Sequence, residues 1–318
     1  MRAFLFKTVI RVSGLLSHWP IRFFAWWVAT GFFLFRSPRR RASVELYRGI
    51  FPNRGLGYYL YCVWRQFHAF AAVYGDRFEA GGKRGVSTST EGREGIRDAA
   101  EGGHGGILIM SHLGSYEVAA QAFQELGLKH LIIMGEKEAK QVARDQREAL
   151  KGRGISILVA TGQEDSLLDG LEAIKFVREG GFVSLAGDLV WTEQRSPLTV
   201  RFFDREAAFP SGPHLLALVS GAPLFTLFTI RIKRGRYRII ISSPREVKAS
   251  SRSERNQALQ ASAQAYADAL EETVRKHPFQ WFIFEPFFRS SSIGKNTTSG
   301  PSALNTGEIR RRSRIKHG

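Results

Sequence analysis

The chain has 318 residues, 43% of them hydrophobic, with 46 basic against 29 acidic side chains and a formal net charge of +17. That length supports one large domain or two small ones with a sizeable core, and the charge points to an anionic partner: nucleic acid, a phosphorylated metabolite or a membrane surface. One cysteine, Cys62, excludes an intrachain disulfide and a cysteine-rich zinc site.

The first stretch favours the membrane. No charge interrupts Phe23 to Phe35, which includes Phe24, Trp26, Trp27, Phe32 and Phe33. Extended back to Gly14, the run meets only His18 and Arg22. A span needs about 20 mostly apolar residues. The segment therefore either just spans or lies in the interface with Arg22 reaching outward; a buried aromatic helix is the competing reading. Arg36, Arg39, Arg40 and Arg41 follow, where a signal peptide would show a small-residue cleavage site. These cations suit anionic headgroups. Residues 1–41 thus read as an N-terminal hydrophobic membrane helix with a basic flank.

Residues 42–78 read as helical and aromatic. Trp64, Phe67, Phe70 and Tyr74 recur at spacings of three and four, the stripe of a helix packed on the rest of the domain. A basic and aromatic mixture can stack single-stranded nucleic acid, but no nucleic-acid motif accompanies it, so nucleic acid is not the expected partner. Residues 79–106, rich in Gly and charge, read as a mobile approach to a strand. They lack the Lys-Ser/Thr ending of a P-loop and precede a strand instead of following one.

Ile107 to Met110 is a short buried strand, with Ser111 and His112 at its exit. Gly114 and Ser115 allow a tight turn, and Ser115 caps a helix from Tyr116 to about Leu126. His112 and Glu117 can converge there. A carboxylate on one ring nitrogen leaves the other as a base. On spacing alone the two are equally a surface pair, but ligand sites of open α/β sheets lie at the carboxyl ends of strands. Strands and helices then alternate: strand Leu131–Met134, helix Glu136–Lys151 with Arg144 and Arg147 as candidates for donor phosphates, strand Ile155–Val159, helix Ser166–Glu179, and strand Phe182–Ala186 delivering Gly187 and Asp188. Further strands fall at 198–203, 224–232 and 237–242, before a long helix from Asn256 to Lys276. The expected fold class is α/β, a mostly parallel central sheet flanked by helices, with a catalytic domain over residues 42–289. The Ser-, Thr-, Gly- and Arg-rich tail, 290–318, reads as disordered and basic.

Several stretches, in order, resemble the lysophospholipid acyltransferase superfamily, and within it the lipid A biosynthesis (lauroyl and myristoyl) acyltransferases. Ser111-His-Leu-Gly-Ser-Tyr-Glu117 resembles His-Leu-Gly-Asn-Trp-Glu of that branch. Ala186-Gly-Asp188 resembles Ala-Asp-Gln. Phe202-Phe-Asp-Arg-Glu-Ala-Ala-Phe-Pro-Ser-Gly-Pro213, Gly221-Ala-Pro-Leu-Phe225 and Gln280-Trp-Phe282 resemble its later segments. The likeness covers roughly residues 15–289. Departures are Arg201 for the usual Pro, Asp204 for Gly, and Gly135-Glu-Lys-Glu138 in place of Asp-Asn-Pro; they bear on the acceptor.

This resemblance implies O-acyl transfer from an acyl thioester, acyl-ACP or acyl-CoA as co-substrate, to a hydroxyl of a membrane lipid or glycolipid. His112 would be the general base and Glu117 its partner, with no metal or redox cofactor. Arg205 would hold acceptor phosphate or headgroup. Asp188 would bind acceptor hydroxyls or support the loop, and Gly114 and Ser115 would line the substrate side of the turn. The implied location is the cytoplasmic face of a bacterial inner membrane. Two other classes stay open. One is a thioesterase or lipid hydrolase using the same pair, although no Gly-x-Ser-x-Gly elbow marks a serine esterase. The other is a non-catalytic basic protein binding membrane or nucleic acid.

Overall fold

A computed structural model describes residues 19–80, 86–135, 155–160, 166–190 and 197–288. Three helices come first: α1 (Trp19–Phe35), α2 (Ser37–Ile50) and α3 (Leu56–Ala80). Then follow β1 (Ser87–Glu91), α4 (Arg93–Glu101), β2 (Gly106–Met110), α5 (Tyr116–Glu125), β3 (His130–Gly135), β4 (Ser156–Ala160), α6 (Ser166–Arg178) and β5 (Phe182–Ala186). The last part holds β6 (Leu198–Phe202), β7 (Arg205–Phe209), α7 (Gly212–Ser220), β8 (Leu224–Lys233), β9 (Arg236–Ile241), α8 (Arg255–Lys276) and a 3₁₀ turn, Pro278–Gln280.

Seven strands form one sheet in the order β1-β9-β8-β2-β5-β3-β4. Every neighbouring pair is parallel except the β8–β9 hairpin. The sequence reading of a mostly parallel sheet flanked by helices therefore holds. β2 is buried along its whole length, as a parallel strand covered on both faces must be. Its side chains alternate between two cores. Ile107 and Ile109 join the larger one, with residues of α2, α3, α6, α7 and α8. Leu108 and Met110 join the smaller, with Ile96 of α4 and Ala119, Ala120 and Phe123 of α5.

β6 and β7 form a separate hairpin. Its two-residue turn places Phe203 and Asp204 at φ 51° and 58°. An aspartate tolerates this left-handed geometry better than most residues, so Asp204 suits the second turn position. α8 lies along β6. The Gln264 side chain accepts from the Arg201 amide at 2.8 Å and donates to the Arg201 carbonyl at 2.8 Å, imitating a further strand.

Besides β7, whose residues 205–209 follow the strand read at 198–203, three elements escaped the sequence reading. Within 79–106, taken as a mobile approach, lie β1 and α4. β1 is a polar edge strand and α4 buries only Ile96, so neither carries a strong apolar period. The third is α7. It had the signals of a helix, Pro213 in the first turn and Gly221 just beyond the end at φ 70°. The expected helix 136–151, with Arg144 and Arg147, and the tail 290–318 lie outside the described residues.

One expectation needs correction. No helix among the described residues is long and apolar enough to cross a membrane. α1 has 17 residues, about 26 Å at 1.5 Å per residue, and it packs on α3 through an edge-to-face Phe33–Phe67 pair and a Thr30 Oγ1–His68 Nε2 hydrogen bond of 3.1 Å. Its outer face carries Phe24 at 70% and Phe35 at 84% exposure, beside Phe23 and Trp27. Arg40, in the basic flank, donates to the carbonyls of Phe33 and Leu34 at 2.8 Å and so satisfies the end of α1.

Candidate active site

β2 and β5 are parallel neighbours in register, Met110 opposite Ala186. His112 and Asp188 each stand two residues beyond those partners, so the two side chains meet at the carboxyl edge of the sheet. The His112 ring Nδ1 lies 2.8 Å from Asp188 Oδ1, and the His112 backbone N–H donates to Asp188 Oδ2 at 2.7 Å. Both interactions tie the same residue to the same carboxylate. Asp188 is completely buried, whereas the His112 side chain keeps 25% exposure. A carboxylate on Nδ1 takes that nitrogen's proton as a hydrogen bond, which places the neutral ring's lone pair on Nε2. The pair is the arrangement of a general base with its orienting acid.

Glycines make this closeness possible. Gly187 sits where a Cβ would fall 2.2 Å from Ile109 Cγ2 and 3.0 Å from the Tyr266 ring. Gly114 has φ +73°, and a Cβ there would fall 1.6 Å from the Thr229 carbonyl oxygen. The loop after β2 is therefore pressed against β8, and only glycine fits.

The closing segment latches the same loop. Leu113 forms an antiparallel bridge with Trp281. Gly114 N–H donates to the Gln280 carbonyl and Phe282 N–H to the His112 carbonyl, both at 2.9 Å. Trp281 is fully buried, and its indole N–H donates to Asp188 Oδ2 at 2.8 Å. Behind the carboxylate, Tyr266 Oη donates to the Met110 carbonyl at 2.9 Å. Burial first, then the Asp188 charge, push this phenol well above its ordinary value, keeping it a neutral donor.

The expected site residues thus fall as follows. His112 stands at the predicted strand exit. Asp188, assigned by resemblance to acceptor hydroxyls or to loop support, supports the loop: its buried carboxylate is spent on His112 and Trp281. It holds the position on the ring that the spacing alone gave to Glu117. Glu117 occupies the first turn of α5, half-buried, where a negative charge suits the helix dipole. Ser115 is the N-cap of α5, as expected, yet its hydroxyl makes no capping bond; it is 1% exposed and finds no hydrogen-bond partner among the described residues. That burial, with the packing of Gly114 on β8, holds the turn against the sheet beside His112.

Arg205 begins β7, exposed, with its guanidinium 4.9 Å over the Phe288 ring. Phe288 packs against Phe202 and Phe287, and Phe287 stands edge-on to Trp281 at 4.8 Å. An aromatic cluster therefore connects Arg205 with the catalytic edge. No group of three or more His, Cys, Asp or Glu among the described residues could hold a metal.

An α/β sheet with a histidine–aspartate pair at the carboxyl ends of neighbouring strands has the layout in which open α/β folds build their ligand sites. Residues 76–290 match the family model of the bacterial lipid A biosynthesis acyltransferases, two-thirds of the chain, and the protein belongs to that family. It is an acyltransferase, and its family acts on lipid acceptors. Among curated proteins the chain finds no significant match. Trp281 and Tyr266 were not singled out as site residues from sequence. Trp281 lay within the Gln280-Trp-Phe282 resemblance, which carried no indication of its role.

Proposed function

We propose that the protein transfers a fatty acyl chain from an acyl thioester, carried on acyl carrier protein or coenzyme A, to a hydroxyl of a membrane lipid or glycolipid. The observation that carries this reading is the buried Asp188 carboxylate on His112 Nδ1. In the reaction the acceptor oxygen attacks the thioester carbonyl carbon while His112 Nε2 takes the hydroxyl proton. The imidazolium so formed is stabilised by Asp188. Collapse of the tetrahedral adduct breaks the C–S bond, and the imidazolium returns its proton to the departing thiolate, leaving acyl ester, thiol and neutral His112. Glu117, in the first turn of α5, is the partner the resemblance gives His112, orienting the ring and stabilising the imidazolium alongside Asp188. Arg205, at the rim, takes acceptor phosphate or headgroup, for which a planar guanidinium is suited.

The acceptor is met at a membrane surface. The exposed aromatic face of α1 and the cations Arg36, Arg39 and Arg41 support an interfacial helix on an anionic leaflet, the cytoplasmic face of a bacterial inner membrane.

Purified protein, labelled acyl thioester and bacterial membrane lipid extract test the reading directly. Wild type should yield labelled lipid, and His112→Ala should yield essentially none at an unchanged melting temperature. Free fatty acid as the main product would instead favour the hydrolase, and a wild-type rate from folded His112→Ala would refute the proposed base.

A further inference from the structure

We infer that Trp281 is a positioning residue for acyl transfer: its indole N–H fixes the Asp188 carboxylate against His112 and sets how strongly that carboxylate draws the ring's proton. The inference rests on the His112–Asp188 reading above and adds the residue that governs it.

The buried carboxylate accepts three hydrogen bonds. His112 Nδ1 takes Oδ1; the His112 amide, at 2.7 Å, and the Trp281 indole, at 2.8 Å, share Oδ2. A fully buried carboxylate relies on such donors to satisfy its oxygens. The indole supplies one of the three, and supplies it from the far end of the domain. Space-filling alone does not account for it, because phenylalanine would also fill an aromatic site. The N–H, by contrast, is aimed at Oδ2 of the same buried carboxylate whose Oδ1 meets the His112 ring.

The indole is itself held on every side. Its ring packs edge-on to Phe202 at 5.5 Å and Phe287 at 4.8 Å. Gln66, fully buried in α3, donates its side-chain amide to the Trp281 carbonyl at 2.7 Å and to the Ile283 carbonyl at 3.3 Å. Gln280 accepts from the Arg231 amide at 2.8 Å and donates to the Arg231 carbonyl at 3.0 Å. α3 and β8 thereby fix the segment that fixes the carboxylate, and a base with a locked partner loses less to reorganisation.

Among the described residues Asp188 bonds the His112 ring, Ser111 precedes it in the loop, Tyr266 bonds the Met110 carbonyl two residues before it, and Glu117 stands five residues on in α5. Trp281 acts through the first of these alone. With the indole removed, the carboxylate's charge is shared among fewer donors and attracts the imidazolium more strongly. The His112 titration should therefore move to higher pH.

The test is the His112 ring titration, followed by NMR in full-length protein in detergent micelles and assigned with His112→Ala. Trp281→Phe should raise the midpoint by about half a unit or more. In an Asp188→Asn background the same change should leave the midpoint where Asp188→Asn alone puts it, since coupled residues do not add. An unmoved midpoint in folded Trp281→Phe overturns the inference, as does an equal shift in both backgrounds. If Trp281→Phe fails to fold, the indole N–H resonance decides. It should lie far downfield in the wild type and move upfield in Asp188→Asn; an unchanged resonance overturns the inference. Transfer by His112→Ala separates the two readings, because activity there removes the base whatever Trp281 does. Loss of transfer there, with an unmoved midpoint in Trp281→Phe, removes only the positioning role.

Discussion

Replacing Asp188 by Asn preserves shape and removes charge. The carboxylate accepts from three donors, whereas an amide offers one oxygen and an NH₂. The oxygen keeps two of the three bonds if it faces the His112 amide and the Trp281 indole. The NH₂ then faces Nδ1, which must become an acceptor, so the ring proton moves to Nε2. That tautomer cannot take a proton from an acceptor hydroxyl at Nε2. The expected loss in kcat is about 10²- to 10⁴-fold. A hydrogen bond to a charged group is worth about 1.5–3 kcal/mol, well within the 5–15 kcal/mol that typically holds a domain together, so the variant should remain folded. The assay is acyl transfer from labelled thioester to membrane lipid extract, with melting followed in parallel. A folded Asp188→Asn enzyme within about threefold of the wild-type rate would refute the role given to this carboxylate.

Three further outcomes follow from the same geometry. Burial lowers His130 and His214 to about 4, against about 6.5 in an unfolded chain. The unfolded state therefore binds more protons between those values, stability falls as pH drops through that window, and each residue should cost about 2 kcal/mol between pH 7 and 5; denaturant melts that match at both pH values would contradict this. Gly114→Ala should destabilise the fold by about 3 kcal/mol, because its Cβ would strike the Thr229 carbonyl at a positive φ, and transfer should fall about 100-fold from displacement of His112; an unchanged melt and rate would sink that claim. Arg205→Lys should raise the KM for acceptor and leave that for thioester unchanged, since Lys lacks the guanidinium fork, and equal changes in both would make Arg205 structural.

Much of this was legible in local sequence. The apolar run of β2, the Gly-turn-helix after it and the alternation of later strands and helices each follow from short-range periodicity. His112 could be placed at a strand's exit for the same reason. Its carboxylate partner is a fact of register. Met110-Ser-His112 and Ala186-Gly-Asp188 each carry the polar group two residues past a strand's end. Only the knowledge that β2 and β5 are neighbours, with β3 and β4 intervening in sequence, brings them together. The strand-turn-helix spacing offered His112 the carboxylate of Glu117, and could not show that Asp188 also meets the ring from the neighbouring strand. Trp281 was less legible still, since an indole in an aromatic tail looks like packing until its N–H has an address. The N-terminal segment shows the converse limit. Its composition revealed an exposed aromatic face, but its helix stops at Phe35 because the Arg36-Ser-Pro sequence starts a new one.

The latch between Trp281 and Asp188 has a consequence for how the enzyme is made. A ribosome delivers the chain from its N-terminus, and 93 residues separate Asp188 from Trp281. At about 5–20 residues per second, the histidine and its carboxylate wait some 5 to 20 seconds for the indole. During that interval the nascent protein already exposes the aromatic face of α1 while the loop after β2 has no bridge to close it. The exposed aromatic face of α1 is thereby complete ahead of the latch, and a chain cut short before Trp281 leaves the Asp188 carboxylate one hydrogen-bond donor short.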